Sequence, residues 1–200
     1  MERLIAVARL ADALAPGKLE ALRVEYERAI PQPLELPIAY EITLQSYLFF
    51  GYAQTIEATK VLAQVRAAKQ IPNPVTVAEI HDWQDWRRRG EILCATIYSP
   101  NFERLVANMA SVSPELAEWM VVEGYGKVLS RPGPTALERE VASIAFLANS
   151  NHPVQLYSHV RGARNLGATA EQLAAVMAAA GLAGPQRRLI AGTVARVYGG

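Results

Sequence analysis

The fold class is decided by residues 135–173, which read TALEREVASIAFLANSNHPVQLYSHVRGARNLGATAEQL. Thr135 and Glu138 have the spacing of a capping box, in which each side chain bonds a free backbone N–H at a helix start. Apolar residues then recur at helical spacing until the run Asn151-His152-Pro153 opens a second helix. Gly167 is well placed as its C-terminal cap. The stretch therefore predicts consecutive helices separated by short breaks.

The rest of the chain follows the same pattern. Glu2 to Leu14 is predicted as a helix that ends at Pro16-Gly17, and Lys18 to Ile30 as a second that ends before Pro31. Strand signals are nearly absent, so the predicted fold class is all-α, with the helices packed as one bundle. The other clear helices are Leu34 to Phe50, Ile56 to Lys69, Ser113 to about Val128, Thr169 to about Gly181 and Gly184 to about Tyr198.

The middle of the chain is less clear. Thr76 and Glu79 form another capping box, which predicts a helix that stops at Gly90. Arg87-Arg88-Arg89 would then occupy the last turn, where cations complement the helix dipole. Residues 93–98 are compatible with either helix or strand.

Two weakly similar copies of one helical unit are predicted. Glu2-Arg3-x-x-Ala6 aligns with Glu138-Arg139-x-x-Ala142, and at the same offset Val24 and Arg28 align with Val160 and Arg164. Identity is sparse, so the repeat depends mainly on helix order and breaker position. The predicted organisation is a degenerate first copy in residues 1–71, an inter-copy helical segment in residues 72–114 and a second copy in residues 115–200.

Composition excludes several classes of protein. Hydrophobic residues make up 51% and charged residues 20% of the chain, which are ordinary globular values. The net charge is +1 with scattered Lys and Arg, which argues against a nucleic-acid-binding face. No apolar segment approaches the roughly 20 residues that a membrane-spanning helix needs. We therefore expect a cytoplasmic protein that binds neither nucleic acid nor membranes.

Polar residues on apolar helix faces mark a candidate site. Glu140 shares a face with Ile144 and Leu147, although burial disfavours the charged form of a carboxyl group. On the following helix His159 lies on the face of Leu156. His152, seven residues earlier, is on roughly the same face. These residues indicate either a general acid/base site or a buried Glu–His hydrogen bond that only fixes helix register.

The spacing of these residues resembles a known family. Eleven residues separate Glu140 from His152, two separate His152 from Gln155, and three separate Gln155 from His159. Together with the following sequence Val160-Arg161-Gly162-Ala163, this pattern is similar to the carboxymuconolactone decarboxylase family, which includes the alkylhydroperoxidase D branch. The segments 124–133 and 167–173 fit the same family. The resemblance covers about residues 115–200 and is only inferred for residues 1–70.

One departure from the family pattern decides between its activities. Members with peroxidase activity carry two cysteines where this chain has His152 and Gln155. Attack of a thiolate on a peroxide and resolution to a disulfide need both sulfurs. Cys94 is the single cysteine of the chain and lies outside this segment. The resemblance is therefore to the cysteine-free, decarboxylase-like branch.

The resemblance implies cofactor-free decarboxylation or lactone chemistry on a small organic acid, with no metal. Glu140 is the predicted proton donor, and His159 orients it or polarises a lactone carbonyl. His152 is a further catalytic candidate, since it occupies a sulfur position. The predicted substrate-binding residues are Arg131, Gln155, Arg161 and Arg164, because arginine binds carboxylates in a bidentate manner.

Two alternatives stay open at the level of sequence. One is a non-catalytic oligomeric scaffold that keeps the alkylhydroperoxidase D-like fold, since single-copy relatives form rings. Its subunit contacts could use aromatic residues, for which packing in the core is the alternative role; they are Tyr47, Phe49, Phe50, Trp83, Trp86 and Trp119. The other is a peroxidase that uses Cys94 across a subunit interface. A homo-oligomer is expected in either case.

Overall fold

The computed structural model describes residues 1–72 and 82–199 and is all-α. No strand occurs within these two ranges. The α-helices are α1 (Glu2–Ala13), α2 (Leu19–Ala29), α3 (Leu36–Gln45), α4 (Tyr47–Ala68), α5 (Trp83–Tyr98), α6 (Phe102–Ala110), α7 (Pro114–Trp119), α8 (Ala136–Asn149), α9 (Pro153–Asn165), α10 (Ala170–Ala179) and α11 (Gly184–Tyr198), with a π-helix at Met120–Leu129. The capping box predicted at Thr76 and Glu79 lies outside the described residues.

The helices α1–α4 and α8–α11 have matching neighbours. In each run the first helix packs on the second, the second on the fourth and the third on the fourth. The first helices of the two runs, α1 and α8, also pack along each other. This arrangement agrees with the predicted order of helices, while the duplication and the three-part division of the chain stay predictions.

Helix α8 is the centre of the core. Every residue from Glu138 to Ala148 is buried, so the helix has no solvent face. Its start is the predicted capping box: the Thr135 hydroxyl accepts from the Glu138 N–H at 3.2 Å, and the Glu138 carboxylate accepts from the Thr135 N–H at 2.7 Å. Three charged residues therefore enter the core together at the first turns of α8, and each must find a partner there.

The predicted stop at Gly90 is wrong, because α5 continues through Gly90 to Tyr98. Gly90 is required for a different reason. A β-carbon at this position would fall on the carbonyl oxygen of Val121, and one at Gly126 would fall on the carbonyl oxygen of Trp86. The two glycines thus allow α5 and the π-helix to approach backbone to backbone.

The arginine run does not occupy a last helical turn, since it lies in the first half of α5. Its members instead bind neighbouring groups. Arg87 pairs with Glu118 on α7, Arg88 with Asp85, and Arg89 donates to the Ser130 hydroxyl at 2.9 Å. The segment 93–98, which was ambiguous between helix and strand, is helical.

The predicted helix from Leu34 to Phe50 is divided at Ser46 into α3 and α4. Ser46 donates to the Thr43 carbonyl at 2.7 Å. The helical backbone of α4 is interrupted at Gly51, which has φ of 78° and ψ of 174°. Within the described residues, no helix combines the length and the apolar character needed to cross a membrane.

Candidate functional site

The structure brings Glu140 of α8 and His159 of α9 together. The Nδ1 atom of His159 lies 2.9 Å from Oε2 of Glu140. The side chain of Glu140 is 1% exposed and that of His159 is 12% exposed. Because a carboxylate accepts hydrogen bonds, the Nδ1 atom carries the proton in this contact. In the neutral imidazole the Nε2 atom then keeps its lone pair, and His159 is the member of the pair that solvent can reach.

Gly162 makes room for this pair. It lies one turn beyond His159 on α9, and a β-carbon there would be 2.7 Å from Oε2 of Glu140 and 2.7 Å from Cγ2 of Ile97. A side chain at this position would therefore displace the carboxylate. In the Arg161-Gly162-Ala163 sequence, which is part of the family resemblance, the glycine is thus required because the Glu140 carboxylate occupies the space that a side chain would need.

The charge of the Glu140 carboxylate acts on three further protic groups. Tyr98 and Tyr125 are buried and share a hydrogen bond between their hydroxyls. Burial raises the pKa of both phenols, and the negative charge of Glu140 adds to the effect. Burial also raises the pKa of the fully buried Cys94 thiol, and Glu140 again contributes. The three groups therefore stay protonated beside the Glu140 carboxylate.

The environment of Cys94 makes it a poor nucleophile, because the thiolate is the reactive form and burial disfavours it. Its side chain also has no exposed surface on its own chain, as a role at a subunit interface would require. These two facts argue against a peroxidase that uses Cys94 across an interface.

The other charged residues at the start of α8 have structural partners. Glu138 pairs with Arg3 at 2.5 Å. The Arg139 side chain, 2% exposed, contacts Glu41 at 3.2 Å and donates to the Arg131 carbonyl at 2.9 Å. Arg131 itself makes a bidentate ion pair with the same Glu41, with contacts of 2.9 to 3.1 Å. Arg131, predicted to bind substrate, is thus held by a buried carboxylate.

Two of the predicted residues are exposed to solvent, unlike Glu140 and His159. His152 is the N-cap residue of α9 and is exposed, and its backbone N–H donates to the Leu147 carbonyl at 3.0 Å. Gln155 is also exposed. Neither takes part in the hydrogen bond between Glu140 and His159.

The two arginines of α9 differ in their contacts. Arg164 donates to the Val197 carbonyl at 2.6 Å and stacks on the Tyr198 ring at 5.5 Å, so it fastens α11 to α9. Arg161 instead lines a small polar cavity of about 120 Å³. The cavity also includes Tyr98, from the group around Glu140, and Ser158, the residue before His159. Its other lining residues are Asn101, Arg104, Leu105, Asn108 and Asn165.

The larger cavities of the described chain, of about 770, 540 and 330 Å³, have linings without Glu140 or His159. The small polar cavity is not lined by Glu140 or His159 either, but Tyr98 belongs both to its lining and to the groups on which the Glu140 charge acts. Among residues 1–72 and 82–199, no three His, Cys, Asp or Glu side chains are arranged to hold a metal ion.

Sequence reasoning missed Glu41, Tyr98, Tyr125 and Arg104. These residues are 15 to 99 positions away from Glu140, on elements whose packing against the site local sequence patterns do not reveal. The sequence did indicate that a partner such as Glu41 must exist. Glu138-Arg139-Glu140 places three charges within an apolar helix, and buried charges need partners. For Tyr98, Tyr125 and Arg104 we find no such signal.

Comparisons with known proteins find two similarities. Residues 114–191 match the family model described as "Carboxymuconolactone decarboxylase family", a range that includes the π-helix, Glu140 and His159. The chain is also 29% identical over 172 residues to "Peroxisomal protein 2" of Schizosaccharomyces pombe (strain 972 / ATCC 24843). The aligned region covers 85% of this chain and 79% of that protein. Residues 114–191 are therefore similar to the carboxymuconolactone decarboxylase family.

Proposed function

We propose that the chain catalyses cofactor-free proton-transfer chemistry, decarboxylation or a lactone reaction, on a small organic acid. The observation that carries the proposal is the 2.9 Å contact between His159 Nδ1 and Glu140 Oε2 inside the family-matching range. A histidine held at Nδ1 by a carboxylate has a fixed ring orientation and a free Nε2 atom, as general acid/base catalysis requires.

The geometry favours a division of roles that differs from the sequence-based expectation. Glu140 accepts from His159 and is 1% exposed, so His159 is the better placed to exchange a proton with substrate. In a decarboxylation, the bond between the α-carbon and the carboxylate breaks and CO₂ leaves. The electron pair of that bond stays on the α-carbon, which becomes part of an enolate. An imidazolium at His159 then protonates that carbon from Nε2, while Glu140 stabilises the positive charge.

The polar cavity supplies a binding site for a second carboxylate of such a substrate. Arg161 and Arg104 line it, and no carboxylate is among its lining residues. A volume of about 120 Å³ suits a small acid group rather than a large ligand. Arg161 is thus the predicted substrate-binding residue that the geometry supports best.

The proposal is tested by measuring CO₂ release from small lactones and from β-keto and unsaturated acids. We expect His159→Asn and Glu140→Gln to lower kcat by about a hundredfold or more, since one general acid/base group contributes 10²–10⁴-fold. Arg161→Gln should mainly raise KM. The exposed Arg187→Gln on α11 is the control with unchanged turnover. Turnover that survives both His159→Asn and Glu140→Gln would show that the site is elsewhere.

A second candidate is a non-catalytic oligomeric scaffold. It is favoured by several large apolar side chains that are exposed on and around α5–α7, namely Trp83, Ile92, Val112, Leu116 and Trp119. Large exposed apolar patches are typical of protein interfaces. Of the other aromatic residues predicted for such contacts, Phe49 and Phe50 pack on Phe146 in the core instead.

The scaffold is tested by sedimentation of the whole chain beside a Leu116→Glu/Trp119→Glu variant. An oligomer that dissociates in this variant, together with no turnover on any acid or lactone, would favour the scaffold.

The expected compartment is the cytoplasm, whereas the S. pombe relative is named as peroxisomal. Cell fractionation distinguishes these two locations.

A further inference from the structure

A second cavity, separate from the Glu140–His159 pair, lies between α4 and the end of the π-helix. Its volume is about 540 Å³, within the range of small-molecule pockets. Its walls are mainly apolar and aromatic, formed by Leu44, Tyr52, Ile56, Ala63 and Val128. The proposed reaction uses none of these residues.

Two of the wall residues leave a large apolar surface uncovered. Tyr52 is 65% exposed and Ile56 is 51% exposed. The rings of Tyr47 and Tyr52 lie 4.7 Å apart and form one side of the cavity. An apolar molecule in the cavity would remove this surface from water, at about 25 cal/mol for each Å².

The charged residues that line the cavity are all cations, namely Lys60, Lys127 and Arg131. Their carboxylate partners, Glu57, Glu123 and Glu41, are not among its lining residues. Arg131 is bound in a bidentate manner by the buried Glu41. The pair of Lys60 and Glu57, at 2.8 Å, is solvent-exposed, and Lys127 Nζ is 3.8 Å from its carboxylate. The two lysines are therefore the groups best able to turn toward an anion, since their ammonium groups end flexible stems.

Local backbone irregularities position both walls. Gly51, with φ of 78° and ψ of 174°, interrupts α4 between Tyr47 and Tyr52, and both tyrosines line the cavity. The opposite wall takes Lys127 and Val128 from the π-helix. π-helical segments are rare in proteins, but those that occur are often found at functional sites.

We propose that this cavity binds a small amphipathic anion, a molecule with an unbranched apolar body and one carboxylate. The apolar body packs against Tyr52, Ile56 and Val128. The carboxylate is bound by Lys60 and Lys127 at the edge of the cavity. Recognition rests on complementary charge, because the apolar walls alone would accept a neutral molecule equally well.

The test is isothermal titration of the whole chain with decanoate and with decanol, which has the same apolar length and no charge. We expect decanoate to bind more tightly than decanol. Ala63→Trp, at an exposed position of the wall, should fill the cavity and weaken decanoate binding by about tenfold or more. Lys60→Gln/Lys127→Gln should weaken decanoate by about threefold to tenfold and leave decanol unchanged. Arg187→Gln, which does not line the cavity, is the matched charge control.

Three results would overturn the proposal. They are the absence of decanoate binding to the unaltered chain, unchanged binding to Ala63→Trp, and equal binding of decanoate and decanol. A cavity that is instead covered by a second copy would appear as a dimer that Ala63→Trp dissociates in sedimentation, without decanoate binding. The result is independent of CO₂ release, so the two proposals can fail separately.

Discussion

Gly162 and Glu140 are so close that a β-carbon on Gly162 would lie 2.7 Å from Oε2 of the Glu140 carboxylate. The contact connects the backbone of α9 to the side chain that binds His159. It also explains why a glycine occurs in the middle of a helix, where it is normally unfavourable by 0.5–1 kcal/mol relative to alanine.

Gly162→Ala should therefore displace the carboxylate and destabilise the fold by about 1–3 kcal/mol, as overpacking of a core does. Urea denaturation measures the change. Gly192→Ala on α11 is the matched control, because nothing lies within 4 Å of a β-carbon there. It should be neutral or stabilise by up to about 1 kcal/mol. Equal effects of the two substitutions would contradict the contact.

The tautomer of His159 provides a direct test of the pair. Since Nδ1 faces the carboxylate, the neutral imidazole should be protonated at Nδ1 and unprotonated at Nε2. Two-dimensional ¹⁵N NMR of the imidazole nitrogens distinguishes the two forms, with the exposed His152 as an internal reference. Glu140→Ala should remove the preference for Nδ1. A neutral His159 imidazole that carries its proton on Nε2 in the unaltered chain would refute the assignment.

Glu41 should be one of the most sensitive positions in the chain. Glu41→Ala leaves Arg139, which is 2% exposed, without its carboxylate, and breaking a buried pair costs about 3–5 kcal/mol. Thermal unfolding measures the loss. Glu25→Ala removes a carboxylate whose partner Arg28 is exposed, and should cost at most about 1 kcal/mol. A Glu41→Ala variant as stable as Glu25→Ala would show that the cluster contributes little.

Alkaline pH should destabilise the protein. Burial raises the pKa of Tyr26, Tyr98 and Tyr125 above the ordinary 10.0 in the folded state. The folded state thus retains phenol protons that the unfolded chain releases, so the free energy of unfolding is unaffected below about pH 10 and falls above it. Urea denaturation across this pH range measures the fall. Tyr26→Phe should reduce it, and a stability that stays constant above pH 10 would contradict the burial.

Cys94 should not react with a thiol reagent in the folded protein at neutral pH. Its side chain is fully buried, and its pKa is raised by burial and by Glu140. Labelling with Ellman's reagent should appear only when urea unfolds the chain, with the same midpoint as the loss of helix. Rapid labelling before unfolding would show that the thiol is accessible and would revive a redox role.

Local signals predicted the helix starts well. The capping box of α8 depends on Thr135 and Glu138, which are three residues apart, so sequence spacing determines the interaction. The pair of Glu140 and His159 was also predictable, because both residues lie on apolar faces of consecutive helices. The family spacing pointed to the same two side chains.

Non-local packing limited the rest. Arg131 had the residue type of a carboxylate-binding group, but its partner Glu41 is 90 residues away and sequence periodicity does not connect them. The family resemblance predicted a catalytic role for His152, which lies exposed at the N-cap of α9. The cavity beside Lys60 and Lys127 depends on the packing of α4 against a π-helix, which helical periodicity alone does not predict.

The glycine contacts between α5 and the π-helix provide a criterion for reading other sequences. Any relative that carries a side chain at the position of Gly90 or Gly126 cannot keep the same separation of these two backbones. Such a chain would have to move the π-helix, and with it the wall formed by Lys127 and Val128. Paired glycines at these two positions should therefore identify the homologues that retain the apolar cavity, and their loss should mark those with a different ligand specificity.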